Sequence, residues 1–321
     1  MRFYSLLITD PATGNALRKW ESHPGGVYDA QAPNIIFDIP IAGDGSPTGG
    51  QSIIIEGISL DDLVKSQDFT GLQFQLKAGM AQGLPLANPL QQGVIAQGSI
   101  FQSFGHWEGT EMSLAFVCYP DDYTLSTPGN FVISWQKGQQ LSEALQQTDS
   151  TVFPKVPIDI HISPTLVTQN TEIGFHPNRT GLAQWVHQVT SAMGHPVTVI
   201  YQNGKINIAD DTYTPPPMQI NFTDLVGQPT WLDVNVLQVK FVMRGDITIL
   251  SWMQMPQGMT SQPGFVTTLQ ASQASRLKYE STFQDNFLVA EMRHLGNFRS
   301  PEGSAWVTII NGVPRDPVNG Q

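Results

Sequence analysis

The sequence contains one cysteine and no long run of apolar residues. Cys118 has no second cysteine to pair with, which excludes an internal disulfide, and its place in LAFVCYP predicts a small buried side chain in a strand. No apolar segment approaches the ~20 residues that a helix needs to cross a bilayer. The opening MRFYSLLITDP is too short for the hydrophobic region and cleavage site of a signal peptide. We therefore expect synthesis in the cytoplasm and no membrane insertion.

Charged residues are also scarce, at 13% of the chain, and the formal net charge is -11. Binding to a phosphate backbone depends on Lys and Arg, so this balance disfavours nucleic acid as a ligand, although DNA could still be a passenger. The 29 glycines and 23 prolines are typical of many turns and short strands. The composition therefore predicts a β-rich structure, and 321 residues suit two or three domains.

Sequence motifs of enzyme chemistry are missing. None of the seven histidines lies in a His-Glu-x-x-His arrangement or another close metal-ligand spacing, and there is no Gly-x-Ser-x-Gly nucleophile elbow. GDGSPTGG, residues 43–50, lacks the Lys-Ser/Thr ending of a phosphate-binding loop, which favours a hairpin or a mobile tip. We predict no catalytic residue, no cofactor and no bound metal.

Two groups of polar residues leave an alternative open. His176, His187 and His195 bracket a predicted helix and could converge as ligands, but surface and cap roles are more common for such residues. Three pairs of adjacent carboxylates could bind a cation or act as an acid/base pair, although their turn-like contexts favour capping. These pairs are Asp61 with Asp62, Asp121 with Asp122, and Asp210 with Asp211.

The first part of the chain, residues 1–134, is a series of short strand candidates separated by Gly/Pro turns. Their regular spacing favours a sandwich or a barrel. The candidates are residues 3–8, 35–41, 51–58, 72–78, 93–104 and 110–119. Residues 59–65 favour one helical turn or a loop.

Residues 135–212 have a different character, with helical patterns between strands. TGLAQWVHQVTSAMGHP carries one apolar stripe at helical spacing, which consists of Leu182, Trp185, Val186, Val189 and Met193. Thr180 is the predicted N-cap and Gly194 the predicted C-cap. The pair Asn203 and Gly204 then predicts a two-residue hairpin turn. We interpret this part as a small α/β module.

Residues 213–321 return to β structure, and residues 234–243 alternate along most of their length. One face is almost wholly apolar and the other is mixed. The apolar face consists of Asn235, Leu237, Val239, Phe241 and Met243, and the mixed face of Val234, Val236, Gln238, Lys240 and Val242. Arg244-Gly245-Asp246 then predicts a tight turn into a second antiparallel strand at 247–252. Further strands are predicted at 264–271, 286–298 and 304–312.

Several phrases of the chain, taken in order, resemble one protein family. IIIEGIS, followed by FTGLQFQLKAGM and GVIAQGSIFQSFGHWEGTEMSLAFVC, is similar to the first barrel of the baseplate hub proteins of contractile-tailed bacteriophages, which are relatives of the hub part of type VI secretion spikes. WQKGQQLSEALQQT resembles the helix that leads into their inserted domain. INFTDLVGQPTWLDVNVLQVKFVMRGDITI and NFLVAEMRHLGNFRSPEGSAWVTIINGVP resemble the start and end of their second barrel.

The resemblance implies a β-rich α+β fold with two tube-like antiparallel β-barrel domains, residues 1–134 and 213–321, and an inserted α/β domain, residues 135–212. It also implies a homotrimer whose barrels form a ring between a sixfold tail tube and a threefold central spike. The implied partners are the tail tube protein, the spike protein and other baseplate proteins, and the implied location is the virion. DNA would pass through the lumen, and an acidic wall fits such a conduit.

A closed ring of this kind needs strand edges that pair across subunits. The alternating strand suits that task. Trp231 and Trp252, at the ends of the predicted hairpin, belong either to the core or to the interface, where tryptophan is enriched. The predicted interface residues are Trp231, Val234, Val236, Gln238, Lys240 and Trp252.

Two other functions remain open at this stage. A receptor- or carbohydrate-binding module of a tail fibre would bind glycans without forming a ring. A tail-associated hydrolase would show muralytic activity that is lost when one carboxylate is changed.

Overall fold

The computed structural model describes residues 1–42, 50–81, 88–120, 130–154, 156–233, 235–256 and 286–314. Some predicted features fall outside these residues, namely nearly all of the loop at 43–50, Asp121 and Asp122, Val234, the strand at 264–271 and the polar tail. None of the helices in the described part is long and apolar enough to cross a membrane.

The N-terminal part consists mainly of strands. They are β1 (Arg2–Thr9), β2 (Ala16–Glu21), β3 (Asn34–Ala42), β4 (Gln51–Glu56), β5 (Gln73–Met80), β6 (Gly93–Glu108) and β7 (Glu111–Tyr119). The six predicted strands are confirmed, whereas β2 was not predicted because ALRKWE has no apolar alternation and buries only Trp20. Helix α1 (Leu60–Val64) is a short turn that begins where the Ser59 side chain accepts a hydrogen bond from the Asp62 amide.

The middle part has a hydrophobic core of its own. Its elements are β8 (Phe131–Trp135), α2 (Leu141–Val152), β9 (Ile158–His161), β10 (Glu172–His176), α3 (Arg179–Ala192), β11 (Thr198–Gln202) and β12 (Lys205–Ala209). Strand β8 pairs with β10, and β12 lies between β11 and β9 in a second small sheet. Trp135, Leu145 and Val186 pack together in this core, so that β8, at the end of the predicted first barrel, packs with the inserted module.

Local signals in the middle part were predicted well, with one error. Asn203 and Gly204 have φ angles of 53° and 73°, which confirms the hairpin turn between β11 and β12. Gly194 has a φ of 89° just after α3 and ends the helix. The N-cap is Asn178 and not Thr180, because the Asn178 side chain accepts a hydrogen bond from the Gly181 amide at 2.8 Å. Thr180 already lies inside the first turn.

The C-terminal part contains six described strands. They are β13 (Met218–Gln219), β14 (Thr230–Asp233), β15 (Val236–Val242), β16 (Trp252–Gln254), β17 (Asn286–Asn297) and β18 (Trp306–Pro314). Gly227, with a φ of 82°, turns the chain toward β14.

The N- and C-terminal strands belong to one sheet. Its order is β14-β15-β18-β17-β3-β4-β7-β6-β5-β1-β2, and β16 extends it by pairing with β17 and β13. The two parts meet where β17 pairs antiparallel with β3, from Glu291 opposite Ala42 to Asn297 opposite Ile36. One apolar cluster contains side chains of both parts, including Leu6, Phe116 and Phe241. The predicted β-rich fold is confirmed, and its two sets of strands share a sheet and a core.

The predicted hairpin after Arg244 is wrong. Strand β15 pairs with β14 and β18, and β16 begins only at Trp252 and pairs with β17. Arg244 is 3% exposed and turns into the interior, and Ile247 and Ile249 behind it are also buried. The polar Arg-Gly-Asp sequence is typical of a surface turn, but here the charged side chain of Arg244 has buried partners.

Candidate assembly surface

Three of the predicted interface residues lie together on the outer face of β15. Val236 and Gln238 are half-buried and Lys240 is exposed, whereas Leu237 on the other face is fully buried. Gln238 Nε2 lies 3.4 Å from Asn311 Oδ1 on β18. The predicted alternation is therefore confirmed from Val236 to Phe241, whereas Val242, which was predicted on the mixed face, is buried.

The edges of β15 are not available to another subunit. Within the described residues, β14 occupies one edge and β18 the other. The expectation that this strand pairs across subunits is therefore wrong, because it lies inside the sheet. The open edges belong to the end strands, since among the described strands β14 pairs only with β15, β2 only with β1 and, on the branch off the main path, β13 only with β16.

Trp231 lies on β14, directly opposite Leu237 of β15. Residues opposite each other in a sheet share a face, so its ring points toward the core and away from the outer face. The ring centroid is 6.0 Å from that of Phe287, and Nε1 is buried without a hydrogen-bond partner among the described residues. Trp231 therefore packs against the core from a strand at the edge of the sheet.

Trp252 lies away from the other candidates, because β18 and β17 separate its strand from β15. Its Nε1 donates to the carbonyl oxygen of Tyr213 at 3.3 Å. It lines a cleft of about 160 Å3 together with His161 and Tyr213, whose rings stack at 4.4 Å. The structure thus brings together Val236, Gln238 and Lys240, with Trp231 on the adjoining strand, and leaves Trp252 apart.

An exposed apolar surface occurs on the two-stranded sheet of the middle part. Val132, Ile173 and Phe175 are 58%, 74% and 63% exposed. Phe175 lies opposite Val132 and Ile173 opposite Ser134, so these side chains share the outer face of the β8–β10 pair. This surface was not predicted from the sequence, because no strand was expected at the position of β10.

A buried polar cluster lies where the two β parts meet. Arg244 donates to Asp224 through Nη1 at 3.1 Å and to Asp246 through Nε at 2.9 Å. Asp224 also accepts from Gln91 Nε2 at 2.9 Å, and Gln91 belongs to the turn before β6. The Gly245 amide donates to the Gln91 carbonyl oxygen at 2.9 Å. These contacts fix the C-terminal strands against the N-terminal ones.

The three histidines around α3 have different partners. His187 Nδ1 contacts the Val197 carbonyl oxygen at 3.1 Å, and the His176 ring lies 5.5 Å from that of Trp185. His195 Nδ1 lies 2.8 Å from Asp211 Oδ1, and this hydrogen bond raises the pKa of His195. The described contacts therefore give each of them a separate environment.

One group of possible metal ligands occurs in the described part of the chain, namely His195, Asp210 and Asp211, whose ligand atoms lie within 4.8 Å of one another. Asp210 already accepts hydrogen bonds from the Ser163 and Thr212 amides at 2.6 and 2.9 Å. Its carboxylate therefore joins the segment after β9 to the turn after β12. This is the turn role that the capping interpretation predicts. A cation at this site would compete with these amides.

The carboxylates at 61 and 62 are used in ion pairs. Asp62 Oδ2 contacts Arg18 Nη2 on β2 at 2.5 Å, and Asp61 contacts Lys65 at 3.0 Å within one helical turn. Asp62 also accepts a hydrogen bond from the Ser59 hydroxyl. The ion pair of Asp62 fixes α1 to the edge strand β2. Because each carboxylate pairs with a different cation, the two do not form an acid/base pair.

His294 is fully buried on β17, and burial lowers its pKa to about 3. Its unfolded pKa is near 6.5, so the unfolded chain binds more protons between these values and stability must fall as the pH falls through this range. We expect the free energy of unfolding to be about 2 kcal/mol lower at pH 5 than at pH 8 because of this residue. Urea titrations at both pH values measure the difference.

The variant His294→Asn is the control for this pH dependence, because its amide can still reach Thr308 Oγ1, which lies 2.9 Å from Nδ1 in the native protein. The variant should lose most of the difference between pH 5 and pH 8. An unchanged pH dependence in His294→Asn would show that His294 is not its source.

Known proteins share this fold, although their sequences differ strongly from the sequence of this chain. No protein-family model matches the chain, and no curated protein matches its sequence. The 43 kDa tail protein of prophage MuSo2 from Shewanella oneidensis is similar with a TM-score of 0.51 and 8% identity, over 99% of this chain and 99% of that chain. An E. coli component of the type VI secretion system, itself structurally similar to the T4 bacteriophage tail proteins gp27 and gp5, gives a TM-score of 0.53 and 9% identity, over 90% of this chain and 76% of that chain. The resemblance found in the sequence is thus confirmed at the level of the fold.

Proposed function

We propose that this protein is a structural baseplate hub of a phage tail. Three copies would form a ring that adapts a sixfold tail tube to a threefold central spike, and the ring would be part of the genome conduit in the virion. Its partners would be the tail tube protein, the spike protein and other baseplate proteins, with DNA only as a passenger. The protein would act through the assembly and symmetry of this ring, without catalysing a reaction.

One observation carries this proposal. A single sheet runs through both β parts, and the main path of its described strands ends at β14 and β2, each of which has an outer edge without a partner among those strands. Unpaired N–H and C=O groups at an edge favour pairing with another chain, and a rotational ring of copies satisfies such edges by joining the two ends of neighbouring sheets. The likeness to a prophage tail protein over nearly the full length of both chains supports the same function.

Four of the predicted interface residues also have a role in the proposed ring. Val236, Gln238 and Lys240 on β15, with Trp231 on β14, lie next to one open edge. We propose that they contact the neighbouring subunit beside the paired edges. Trp252, on β16, would require a separate contact.

The edge proposal is tested by placing a charge on each open edge. Leu17 on β2 is 54% exposed and Leu232 on β14 is 38% exposed, so lysine is tolerated in the folded subunit at both positions. The double variant Leu17→Lys, Leu232→Lys is expected to fold normally and to weaken ring formation by at least about tenfold in concentration, because edge lysines oppose strand pairing. Analytical ultracentrifugation measures both the mass and its concentration dependence.

Leu90→Lys provides the matched control, because Leu90 is 88% exposed and lies in a turn outside both edge strands. This variant should assemble as the native protein does. Normal ring formation by the edge double variant would exclude pairing through β14 and β2.

A further inference from the structure

The middle part contains an open cleft of about 570 Å3 between α3 and the segment that leads into β10. Its lining residues are Trp135, Val167, Thr168, Gln169, Asn170, Glu172, Trp185, Gln188, Val189, Ala192 and Met193. The volume falls within the range of about 300–1,000 Å3 that is usual for small-ligand sites. None of these lining residues belongs to β14 or β2, so the hub proposal does not use the cleft.

One wall of the cleft is apolar and partly exposed. Trp185, Val189 and Met193 follow one another at four-residue spacing along one face of α3. The sequence places all three in the apolar stripe of this helix, but Trp185 and Val189 are only half-buried and Met193 is 38% exposed. An indole beside aliphatic side chains therefore remains accessible at this wall.

The rest of the lining is polar and almost uncharged. Gln169, Asn170 and Gln188 are exposed, and their side chains have no hydrogen-bond partner among the described residues. Glu172 is the one charged residue of the lining, and no lysine or arginine contributes to it. Amide groups that can both donate and accept thus face an indole across the cleft.

We propose that this cleft binds a neutral glycan, specifically one or two N-acetylhexosamine units. A pyranose ring presents an apolar C–H face that packs on an indole, whose large flat surface favours such contacts. Its hydroxyl and acetamido groups match the side-chain amides of Gln169, Asn170 and Gln188, which can pair as donors and acceptors. Anionic ligands are disfavoured because Glu172 is the one charge present and has no cationic neighbour in the lining.

Binding of chitotetraose, a neutral β-linked N-acetylglucosamine oligomer, tests this proposal by isothermal titration calorimetry with the full chain. The native protein should bind it, and Trp185→Ala should weaken binding by more than about tenfold. Trp185 also packs against the core of the middle part, so a second variant is needed in case this one folds poorly. Ala192→Trp fills the cleft from an exposed position at the end of α3 without removing any core contact, and it should abolish binding.

Gln188→Ala and Gln184→Ala form a matched pair on the same helix. Both residues are exposed and lie four positions apart, but Gln188 lines the cleft and Gln184 does not. Gln188→Ala should weaken binding several-fold, whereas Gln184→Ala should leave it unchanged. The proposal is overturned if the native protein gives no binding heat with chitotetraose, or if Ala192→Trp binds as tightly as the native chain. It is equally overturned if the cleft is occupied by a protein segment in the tail complex and binds no sugar.

Discussion

Replacing Arg244 with alanine is expected to lower the free energy of unfolding by about 3–5 kcal/mol. Asp224 is 6% exposed and Arg244 3% exposed, so the variant leaves a buried carboxylate without its cation. Gln91 and the Asn221 amide would still donate to Asp224, but neither carries a charge. Urea denaturation followed by tryptophan fluorescence measures the loss.

Arg293→Ala is the matched control for this substitution. Arg293 donates to Asp38 Oδ1 at 2.7 Å, and the two side chains are 53% and 39% exposed. An exposed pair of this kind contributes at most about 1 kcal/mol, because water and salt screen it. Equal losses in the two variants would show that the buried cluster does not hold the two β parts together.

Replacing Phe241 with aspartate is expected to prevent folding altogether. Phe241 is fully buried in the cluster shared by both β parts. An unpaired carboxylate there costs several kcal/mol, on the order of 4 or more, in addition to the lost ring contacts, which is comparable to the whole stability of a domain. Soluble yield and the loss of a cooperative thermal transition report the outcome.

Lys240→Asp tests the same strand on its other face. Lys240 is exposed and directly precedes Phe241, so an aspartate at this position stays in water. The variant subunit should fold with a change within about 1 kcal/mol. If the two aspartate variants behaved alike, the alternation of β15 between core and outer face would be incorrect.

Features encoded by a few neighbouring residues were predictable from the sequence. Asn203 and Gly204 favour positive φ angles, so their turn needs no information from the rest of the chain. The alternation of Leu237, Val239 and Phe241 likewise identifies the buried face of β15 without its neighbours. Local preference and tertiary structure agree in these segments.

Features that depend on distant residues were not predictable. Whether β15 lies at an edge or inside the sheet depends on β18, whose pairing residues are roughly seventy positions away, such as Asn311 opposite Gln238. The inward turn of Arg244 depends on Asp224 and on Gln91, which is 133 positions from Asp224. An Arg-Gly-Asp sequence favours a surface turn by composition, and only the buried partners reverse that preference.

The candidate assembly surface also combines features that were predictable from neighbouring residues with features that were not. Sequence alternation placed Val236, Gln238 and Lys240 on one outer face, and the structure places them there. The open edge at β2 had no sequence signal, because its residues alternate weakly and are mostly exposed. Helical spacing placed Trp185 in the apolar stripe of α3, but spacing alone cannot distinguish a covered helix face from one that borders a cleft.

The proposed ring depends on strand edges that stay open in one copy and are closed by other copies. The most direct measurement is the mass and rotational symmetry of the purified protein, alone and mixed with its tail tube and spike partners, by mass photometry and electron microscopy. We predict a particle of three 35.2 kDa chains with threefold symmetry and a central opening. A particle that remains a single chain at every concentration and in the presence of both partners would contradict the account.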